Sequence, residues 1–282
     1  MGTTQQLLSI RAMHPDEIGF AVDWAAAEGW NPGLADAPCF ASVDAGGFLI
    51  GVLGGEPAAI ISTVNYDDRF AFLGFYIVRA DLRGHGYGMR IWEAALAHAG
   101  SRTIGLDGVV AQQDNYRKSG FALAYNNVRY GGVPADVRAH AGTVALSEVP
   151  FDTIVADDAR VFPAERPAFW KAWLSAPAHV GRAVLRDGKL AAWGVIRPCR
   201  TGRKIGPLLA DDGESAESVF ASLVGEGGGE VFLDVPQPNA HAVALAQAHG
   251  LAPVFETARM YRGDVRPVDL ARVFGVTTFE LG

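Results

Sequence analysis

The sequence predicts an α/β protein made of two similar halves, each a mixed sheet flanked by helices. Its 282 residues exceed the usual size of one domain. Apolar residues make up 49% of the chain and charged residues 20%, a composition typical of globular proteins. Both halves follow one order of elements, in which three strands, a helix, a strand and a second helix lead to a closing strand. The chain therefore reads as a duplicated fold.

Apolar runs, helical spacings and turn residues locate the elements of the first half. Predicted strands cover 7–13, 48–53, 58–64, 70–78, 103–106 and 128–130, and predicted helices cover 15–28, 87–99 and a short stretch around Asn115. The Gly54-Gly55-Glu56-Pro57 stretch predicts a hairpin turn between the second and third strands.

The second half repeats this order, with predicted helices at 167–174, 215–223 and 239–249, and strands at 182–185, 189–196, 204–209 and 230–235. Two spacings support the repeat, because Gly120 precedes Arg129 by nine positions and Gly250 precedes Arg259 by nine as well. Each late strand also ends in Leu-Asp, at Asp107 in the first half and at Asp234 in the second. A glycine-containing linker at 131–147 then divides domain 1–135 from domain 148–282.

Charge and cysteine content argue against several classes of protein. The net charge of −7 is spread evenly: residues 1–140 contain 10 basic and 14 acidic residues, and the rest of the chain contains 14 basic and 17 acidic residues. Because no basic block stands out, nucleic acid is not an expected partner. No apolar stretch is long enough for a membrane helix, and the first residues do not resemble a signal peptide. Cys39 and Cys199 stand outside any paired-ligand motif, which predicts two buried free thiols, no metal site and a cytoplasmic protein.

One glycine-rich turn, Arg83-Gly84-His85-Gly86-Tyr87-Gly88, follows a buried strand and precedes a helix. Glycines let the backbone approach a ligand closely, and the start of the helix adds free N–H groups and a positive dipole end. This arrangement favours a bound pyrophosphate, with a ligand-free tight turn as the alternative. Met89 stands where a dinucleotide fingerprint needs its last glycine, and no Lys-Ser/Thr pair follows for a nucleoside triphosphate loop.

The sequence resembles the GNAT superfamily of N-acetyltransferases in three motifs, which are Val78 at a strand end, Arg83-x-x-Gly86-x-Gly88, and Tyr116-x-Lys118-x-Gly120-Phe121. The resemblance implies a mixed, mostly antiparallel sheet in each half and acetyl-coenzyme A as co-substrate. It further implies that the loop amides of Arg83, Gly84, His85, Gly86, Tyr87 and Gly88 bind the pyrophosphate, and that the backbone of Tyr76, Ile77 and Val78 pairs with the pantetheine arm.

By the same resemblance, Tyr116 is the general acid. A phenol with a pKa of about 10 can protonate a departing thiolate whose conjugate acid has a pKa of about 8.5. Where the family often has an Asn, this chain has Val109, so Asn115 is the predicted replacement contact to the cofactor, together with Gln112 and Gln113.

The sequence identifies the general base less clearly than the general acid. Asp107, at a strand end near the expected thioester, is favoured over the turn residues Asp67 and Asp68, although it could equally fix the turn after its strand. His85 lies within the loop and is expected to be exposed.

The second half departs from the family pattern. Ala246 stands at the position of the acid, and Ala210-Asp211-Asp212-Gly213-Glu214 stands at the position of the loop. A single glycine forms a poor cradle for an anion, and three acidic residues would repel it, so we expect a degenerate domain that does not bind coenzyme A. Several parts of it could still line a substrate pocket: the Trp-rich helix 167–174, the stretch 197–203, Asp234 and the segment 274–281.

These features predict transfer of an acetyl group to a primary amine of a small molecule or peptide, by direct attack in a ternary complex. An amide of Ile77 or Val78 would stabilise the developing oxyanion. The alternative is a coenzyme A-binding regulatory or scaffold module without turnover, and tandem N-myristoyltransferases make a longer acyl donor a lesser possibility. Four acidic residues would suit a polyamine, an aminoglycoside or a lysine side chain equally well: Asp36, Asp67, Asp107 and Asp234. The sequence does not determine the oligomeric state.

Overall fold

The computed structural model describes residues 7–135, 137 and 142–282. The first half holds, in chain order, β1 (Ser9–Ala12), α1 (Ile18–Ala27), α2 (Asp36–Ala41), β2 (Phe48–Leu53), β3 (Glu56–Asn65), β4 (Phe70–Val78), α3 (Tyr87–Ala99), β5 (Thr103–Val109), α4 (Gln113–Lys118) and β6 (Ala122–Gly132). β4 and α3 end at the residues that the sequence predicts, Val78 and Ala99, and Gly100, with a φ of 64°, ends α3.

The second half holds β7 (Thr143–Ala145), α5 (Phe151–Asp158), α6 (Pro167–Ser175), β8 (Val180–Arg186), β9 (Lys189–Pro198), β10 (Arg203–Ala210), α7 (Gly213–Gly225), β11 (Val231–Pro236), α8 (Ala240–Ala248), β12 (Ala252–Arg262) and β13 (Val273–Gly275). Asn239 caps α8 as predicted, since its side chain accepts a hydrogen bond from the Ala242 amide at 3.2 Å. Sequence reasoning missed α2, α5, β7 and β13, which are too short to carry a clear periodicity.

Among the described residues, all strands belong to one mixed sheet, in the order β1-β2-β3-β4-β5-β12-β6-β11-β10-β9-β8-β7, with β13 paired to β10. The parallel pairs are β4 with β5 and β10 with β11, and the other pairs are antiparallel. The closing strand of each half is exchanged, because β12 lies against β5 of the first half and β6 lies against β11 of the second. The two predicted sheets are therefore joined into one.

Two buried ion pairs fasten this exchange. Arg259 on β12 holds both carboxylate oxygens of Asp107 on β5, at 2.8 and 2.6 Å. Arg129 on β6 holds Asp234 on β11 in the same way, at 2.6 and 2.8 Å. The residues whose spacing identifies the repeat are thus each other's partners across the two halves.

Hydrophobic packing also joins the halves. On one face of the sheet a shared core gathers side chains from α1, α2, α5 and α6, including Phe40, Trp170 and Trp173. On the opposite face α3 covers the first half and α7 with α8 covers the second, each over its own cluster. The Trp-rich helix, α6, therefore belongs to the hydrophobic core.

The predicted linker is only partly visible, since residues 136 and 138–141 lie outside the described residues. Gly131 and Gly132 belong to β6, while β7 begins at Thr143. Cys39 and Cys199 are free and buried, as the sequence predicts. In the described part of the chain, no helix has the length and apolar character required to cross a membrane.

Candidate active site

The site begins where two parallel strands separate. β4 and β5 pair from Phe70 only as far as Leu73 and Leu106, although both strands continue beyond this point. A bulge in β4 contributes to the separation, because Phe75 has a positive φ of 49° and the register with β3 shifts there. Beyond the bulge, the edge of Tyr76–Val78 that faces β5 has no strand partner among the described residues, so its backbone groups are available to a ligand. These are the residues along which the resemblance predicts the pantetheine arm to lie.

A cavity of about 500 Å³ occupies the opening between the two strands. At one end the cavity is lined by the glycine loop and the start of α3. The splayed strands and α4 line its middle, and residues largely from the second half line its far end. The predicted site residues that line it are Tyr76, Ile77, Val78, Arg83, Gly84, Gly86, Gly88, Asp107 and Tyr116. Gln112 lines it as well, whereas four predicted residues do not: His85, Tyr87, Gln113 and Asn115.

The loop 79–86 connects β4 to α3 and is shaped by its glycines. Gly84 and Gly86 have φ values of 81° and 82°, which other residues rarely adopt. At Gly88 a Cβ atom would lie 2.6 Å from the Tyr76 hydroxyl oxygen, so only glycine lets the first turn of α3 pack against β4. The first N–H groups of α3 have no acceptor within the helix, and they point toward the loop.

Arg83 fastens the loop to the rest of the first half. Its Nε donates to the carbonyl of Val78 at 2.9 Å, and its Nη2 donates to Glu28 at 2.5 Å. His85 is exposed, as expected, and its Nδ1 lies 3.0 Å from the carbonyl of Arg83. The Asn115 amide instead donates to Gln112 at 2.7 Å, and Gln112 is the residue of this pair that lines the cavity.

Tyr116 lies in the middle of the cavity and is 7% exposed. Its ring rests against the backbone of β5, where a Cβ at Gly108 would come within 2.1 Å of it, and it stacks on Trp92 at 5.6 Å. Burial raises the pKa of Tyr116, with a smaller contribution from Tyr76, so the phenol keeps its proton at neutral pH. The side chain is therefore held rigidly in the form that can donate a proton.

Asp107 reaches the cavity, but its carboxylate is already occupied. Besides the two bonds from Arg259, its Oδ1 accepts a hydrogen bond from Asn127 at 2.8 Å. Burial raises the pKa of Asp107, while Arg259 and Asn127 act in the opposite direction. A base has to approach the acceptor freely, and these contacts favour a structural role for this residue over the predicted catalytic one.

The other acidic candidates lie elsewhere. Asp67 accepts hydrogen bonds from the amides of Arg69 and Phe70, the role of a turn aspartate. Exposed Asp68 lies near Arg69 at 3.7 Å. Asp36 pairs with Arg197, which is buried, at 2.9 Å. None of these three aspartates lines the cavity.

The far end of the cavity contains residues that sequence reasoning did not assign. Phe255 and Thr257 come from β12, and Phe279 and Glu280 come from the segment 276–282. The sequence pointed to the segment 274–281 as a possible contributor, but not to Glu280 itself. The only sequence signal for that residue is a single acid within an apolar run. The other suggested contributors, namely the Trp-rich helix, the stretch 197–203 and Asp234, lie outside the lining.

The corresponding region of the second half is closed. β10 ends at Ala210 and α7 begins at Gly213, so only residues 211–212 stand where the first half has its loop. The Asp212 carboxylate accepts a hydrogen bond from the Ser215 amide at 2.8 Å and so caps α7. Asp211 pairs with Arg272.

A strand of the chain itself fills the second splay. β10 pairs with β11 only through Ile205, which leaves the same kind of gap as in the first half. β13 enters this gap and pairs with β10 at Leu208 and Leu209. The Val276 amide then donates to the carbonyl of Asp234 on β11, at 2.8 Å.

Comparisons with known proteins find a GNAT match in each half. Residues 13–121 match the family described as acetyltransferase (GNAT) family, and residues 154–275 match the one described as acetyltransferase (GNAT) domain. A holothin acyltransferase from Pseudoalteromonas sp. (strain SANK 73390) is 32% identical over 264 residues, covering 92% of this chain and 90% of its own.

Solved structures share the fold over the whole chain. A Pyrococcus horikoshii protein described as an acetyltransferase superimposes with a TM-score of 0.85 at 21% identity, covering 100% of this chain and 98% of its own. A tandem GNAT protein from the clavulanic acid biosynthesis pathway gives a TM-score of 0.62 at 13% identity, covering 93% and 100%.

Proposed function

The chain belongs to the GNAT family of acetyltransferases and is an acyltransferase, and we propose that it moves an acetyl group from acetyl-coenzyme A to the primary amine of a small molecule. The observation that carries this proposal is the open splay of the first half, which ends in a glycine loop on one side and passes Tyr116 on the other. We propose that residues 1–135 supply the donor site and residues 148–282 supply part of the acceptor site.

The donor end fits a pyrophosphate. The free amides at the start of α3 lie beside Gly84 and Gly86, and each anion contact at a helix N-terminus contributes about 0.3–1 kcal/mol. Backbone groups of Tyr76–Val78 can pair with the amides of an extended pantetheine arm, as a strand edge pairs with another strand. Acetyl-coenzyme A would supply the activated acyl group, and an amide of Ile77 or Val78 can donate to its carbonyl oxygen as negative charge develops.

Tyr116 is the proposed general acid. Its raised pKa keeps the phenol protonated, and its ring is fixed by Trp92 and Gly108 beside the splayed strands. A thiolate leaves more readily when a proton reaches it during bond cleavage, which general acids typically accelerate by about 10²–10⁴-fold.

Two further observations bear on the acceptor and the setting. The Pseudoalteromonas relative is named for acylating holothin, which favours a small-molecule acceptor over a peptide. The free, buried thiols of Cys39 and Cys199 favour a reducing, cytoplasmic setting.

Release of free thiol from acetyl-coenzyme A tests the proposal, with amines, amino acids, polyamines and short peptides as acceptors. We expect release with small primary amines and little release without an acceptor. Binding of acetyl-coenzyme A with no transfer to any acceptor would favour the alternative of a non-catalytic regulatory module. Absence of binding would contradict the donor site.

A further inference from the structure

The segment 28–35, between α1 and α2, forms part of the cavity wall. Two of its residues, Glu28 and Trp30, line the cavity. Glu28 also accepts a hydrogen bond from Arg83 of the glycine loop, at 2.5 Å, so the segment is tied at this point to the donor end. A shift of the segment would therefore change the shape of the cavity itself.

A turn of the second half holds this segment in place. The β9–β10 turn, residues 199–202, does not line the cavity, but its Thr201 exchanges two hydrogen bonds with the side chain of Asn31. The Asn31 Nδ2 donates to the carbonyl of Thr201 at 2.9 Å, and the Thr201 amide donates to the Asn31 Oδ1 at 3.1 Å. Gly33 then pairs with Cys199 as in an antiparallel sheet. These contacts begin at the residue that directly follows the lining tryptophan.

Asn31 combines this contact with an unusual backbone conformation. Its φ of 50° lies in the left-handed region, which asparagine adopts more readily than most residues and glycine adopts freely. The side chain is thus fixed by its own backbone and by both hydrogen bonds to Thr201. Glycine at this position would keep the backbone conformation and remove only the contact.

One arginine connects Trp30 with the other aromatic residues of the cavity lining. The Arg129 Nη1 donates to the carbonyl of Trp30 at 2.6 Å. The Cζ of the same guanidinium lies 4.9 Å from the ring centroid of Phe279 and 5.7 Å from that of Phe255. Because Arg129 is itself fixed by its buried pair with Asp234, the three aromatic residues are held in one arrangement.

Among the described residues, the cavity lining offers no accessible, unpaired carboxylate. Glu28 pairs with Arg83, and Asp107 pairs with Arg259. The side-chain oxygens of Glu280 are fully buried, so they do not reach the cavity surface. An acceptor with several ammonium groups would leave some of them unpaired against aromatic rings, which is unfavourable.

We propose that the β9–β10 turn, through Asn31, positions Trp30 as the wall that selects the acceptor, and that this acceptor carries one amine on a flat, apolar body. The inference rests on the proposed acetyl transfer and names the acceptor class for it. Trp30, Phe255 and Phe279 provide the rings against which such a body packs. The volume of about 500 Å³ also has to hold the reactive arm of the donor, so the acceptor is compact. Asn31 is a positioning residue, since it acts through Trp30.

Three probe acceptors test the class with wild type. The amine 2-phenylethylamine carries a flat ring, ethylamine carries the same amine without the ring, and spermidine carries several ammonium groups. We expect kcat/KM for 2-phenylethylamine to exceed that for ethylamine by about tenfold or more, the gain typical of aromatic contacts. Spermidine should be the poorest of the three acceptors. Release of free thiol from acetyl-coenzyme A measures all three.

Variants of Trp30 test the wall. Trp30→Ala should lower the ratio of kcat/KM for 2-phenylethylamine to that for ethylamine by about tenfold, because the aromatic contact is lost. Trp30→Phe keeps a flat ring and should retain most of this selectivity. Affinity for acetyl-coenzyme A should stay near that of wild type in both variants.

Asn31→Gly tests the positioning role, since it removes both hydrogen bonds to Thr201 and tolerates the positive φ. Loss of two hydrogen bonds that hold the wall should raise KM for 2-phenylethylamine by about tenfold, with a much smaller change in kcat. Ethylamine has no ring to place against the wall, so its KM should change much less. Asp187→Gly is the matched control, because Asp187 also has a positive φ, of 51°, in the exposed β8–β9 turn.

The outcomes separate this inference from the proposed function. If wild type acetylates amines and Asn31→Gly keeps the selectivity of wild type, the positioning role is wrong while acetyl transfer stands. The same holds for the wall if Trp30→Ala leaves the ratio unchanged. A preference of wild type for spermidine would overturn the acceptor class.

A binding measurement decides the case in which wild type acetylates none of the three amines. Calorimetric titration of the coenzyme A-loaded protein with 2-phenylethylamine then tests the wall by itself. Binding that Trp30→Ala weakens would uphold the acceptor wall while acetyl transfer fails. Absence of binding would overturn both proposals.

Discussion

The two halves carry the same splayed pair of parallel strands, yet one cleft is open and the other is filled. In the first half, β4 and β5 separate after Leu73 around a cavity of about 500 Å³. In the second half, β10 and β11 separate after Ile205, and β13 occupies the gap. One fold thus leaves an open cavity in one copy and forms a structural joint in the other.

The two halves differ in which backbone N–H and C=O groups form hydrogen bonds within the chain. The loop 79–86 leaves the first amides of α3 free, whereas residues 211–212 allow the Asp212 side chain to cap α7 directly. Within the described part of the chain, the splayed edge of Tyr76–Val78 has no strand partner, but Leu208 and Leu209 of β10 pair with β13. A site for an extended, anionic ligand requires that the protein leave these groups unpaired.

The closed half still contributes to the open one. β12 and the segment 276–282 form the far end of the first cleft, and the exchanged strands hold that geometry. The following variants test this asymmetry, from the largest expected effect to the smallest.

Tyr116→Phe removes the hydroxyl of the proposed general acid. At the equivalent position the second half has Ala246. We expect kcat to fall by about 10²–10⁴-fold, with acetyl-coenzyme A affinity nearly unchanged, because the ring and its stacking on Trp92 remain. Steady-state kinetics and calorimetric titration measure the two quantities. Tyr87→Phe is the control, since Tyr87 lies in the same region but outside the cavity lining. A collapse of donor affinity in Tyr116→Phe would instead indicate a structural role.

Arg259→Met leaves Asp107 buried and unpaired at the exchanged strand. Breaking a buried ion pair in this way lowers the free energy of unfolding by about 3–5 kcal/mol. Arg129→Met should cost a similar amount, because Asp234 is left in the equivalent position. Urea denaturation measures both.

Arg262→Met, at an exposed position of β12, provides the control and should have little effect. Adding Asp107→Asn to Arg259→Met should recover part of the loss, since no unpaired charge then remains. If both Arg259→Met and Arg129→Met unfold like wild type, the pairs do not fasten the exchange.

Gly88→Val places a side chain where the first turn of α3 meets Tyr76 and Val78. Displacing α3 weakens two or three amide contacts, so the Kd for acetyl-coenzyme A should rise by about 10–100-fold. Gly213→Ala, at the start of α7, is the matched control, because a Cβ there meets nothing within 4 Å. Equal donor affinity in Gly88→Val and wild type would place the donor elsewhere.

Asp212→Ala should have the smallest effect. Loss of the cap on α7 lowers the free energy of unfolding by about 1 kcal/mol, and acetyl-coenzyme A binding should not change, since β13 still fills the second cleft. Thermal unfolding and titration check the two expectations. A gain of a second binding event would show that the cap alone closes that cleft.

Local motifs made much of this molecule predictable. Family membership and the mixed, mostly antiparallel sheet with flanking helices are confirmed, and the glycine-rich turn lies between β4 and α3 as the pattern indicates, with Tyr87 and Gly88 in the first turn of the helix. The roles of Tyr116 and the loop amides stay predictions. Asn115 was predicted to contact the cofactor because Val109 replaces an Asn of the family pattern, but in the structure its amide donates a hydrogen bond to Gln112.

The exchange of closing strands could not be predicted from the sequence. Both strands carry an arginine nine positions after a glycine, and both late strands end in aspartate, so Arg129 suits Asp107 and Asp234 equally well. The pairing is decided by contacts between residues more than 100 positions apart. Glu280 was missed for a related reason, since it lies beyond the repeat, where no equivalent in the first half draws attention to it.

The number of acetyl-coenzyme A molecules bound per chain tests the asymmetry of the two clefts most directly. Isothermal titration of wild type and of Gly88→Val supplies this number together with the affinities. An open first cleft and a filled second one predict one equivalent per chain, weakened in Gly88→Val. Two equivalents, or one equivalent unaffected by Gly88→Val, would contradict the account.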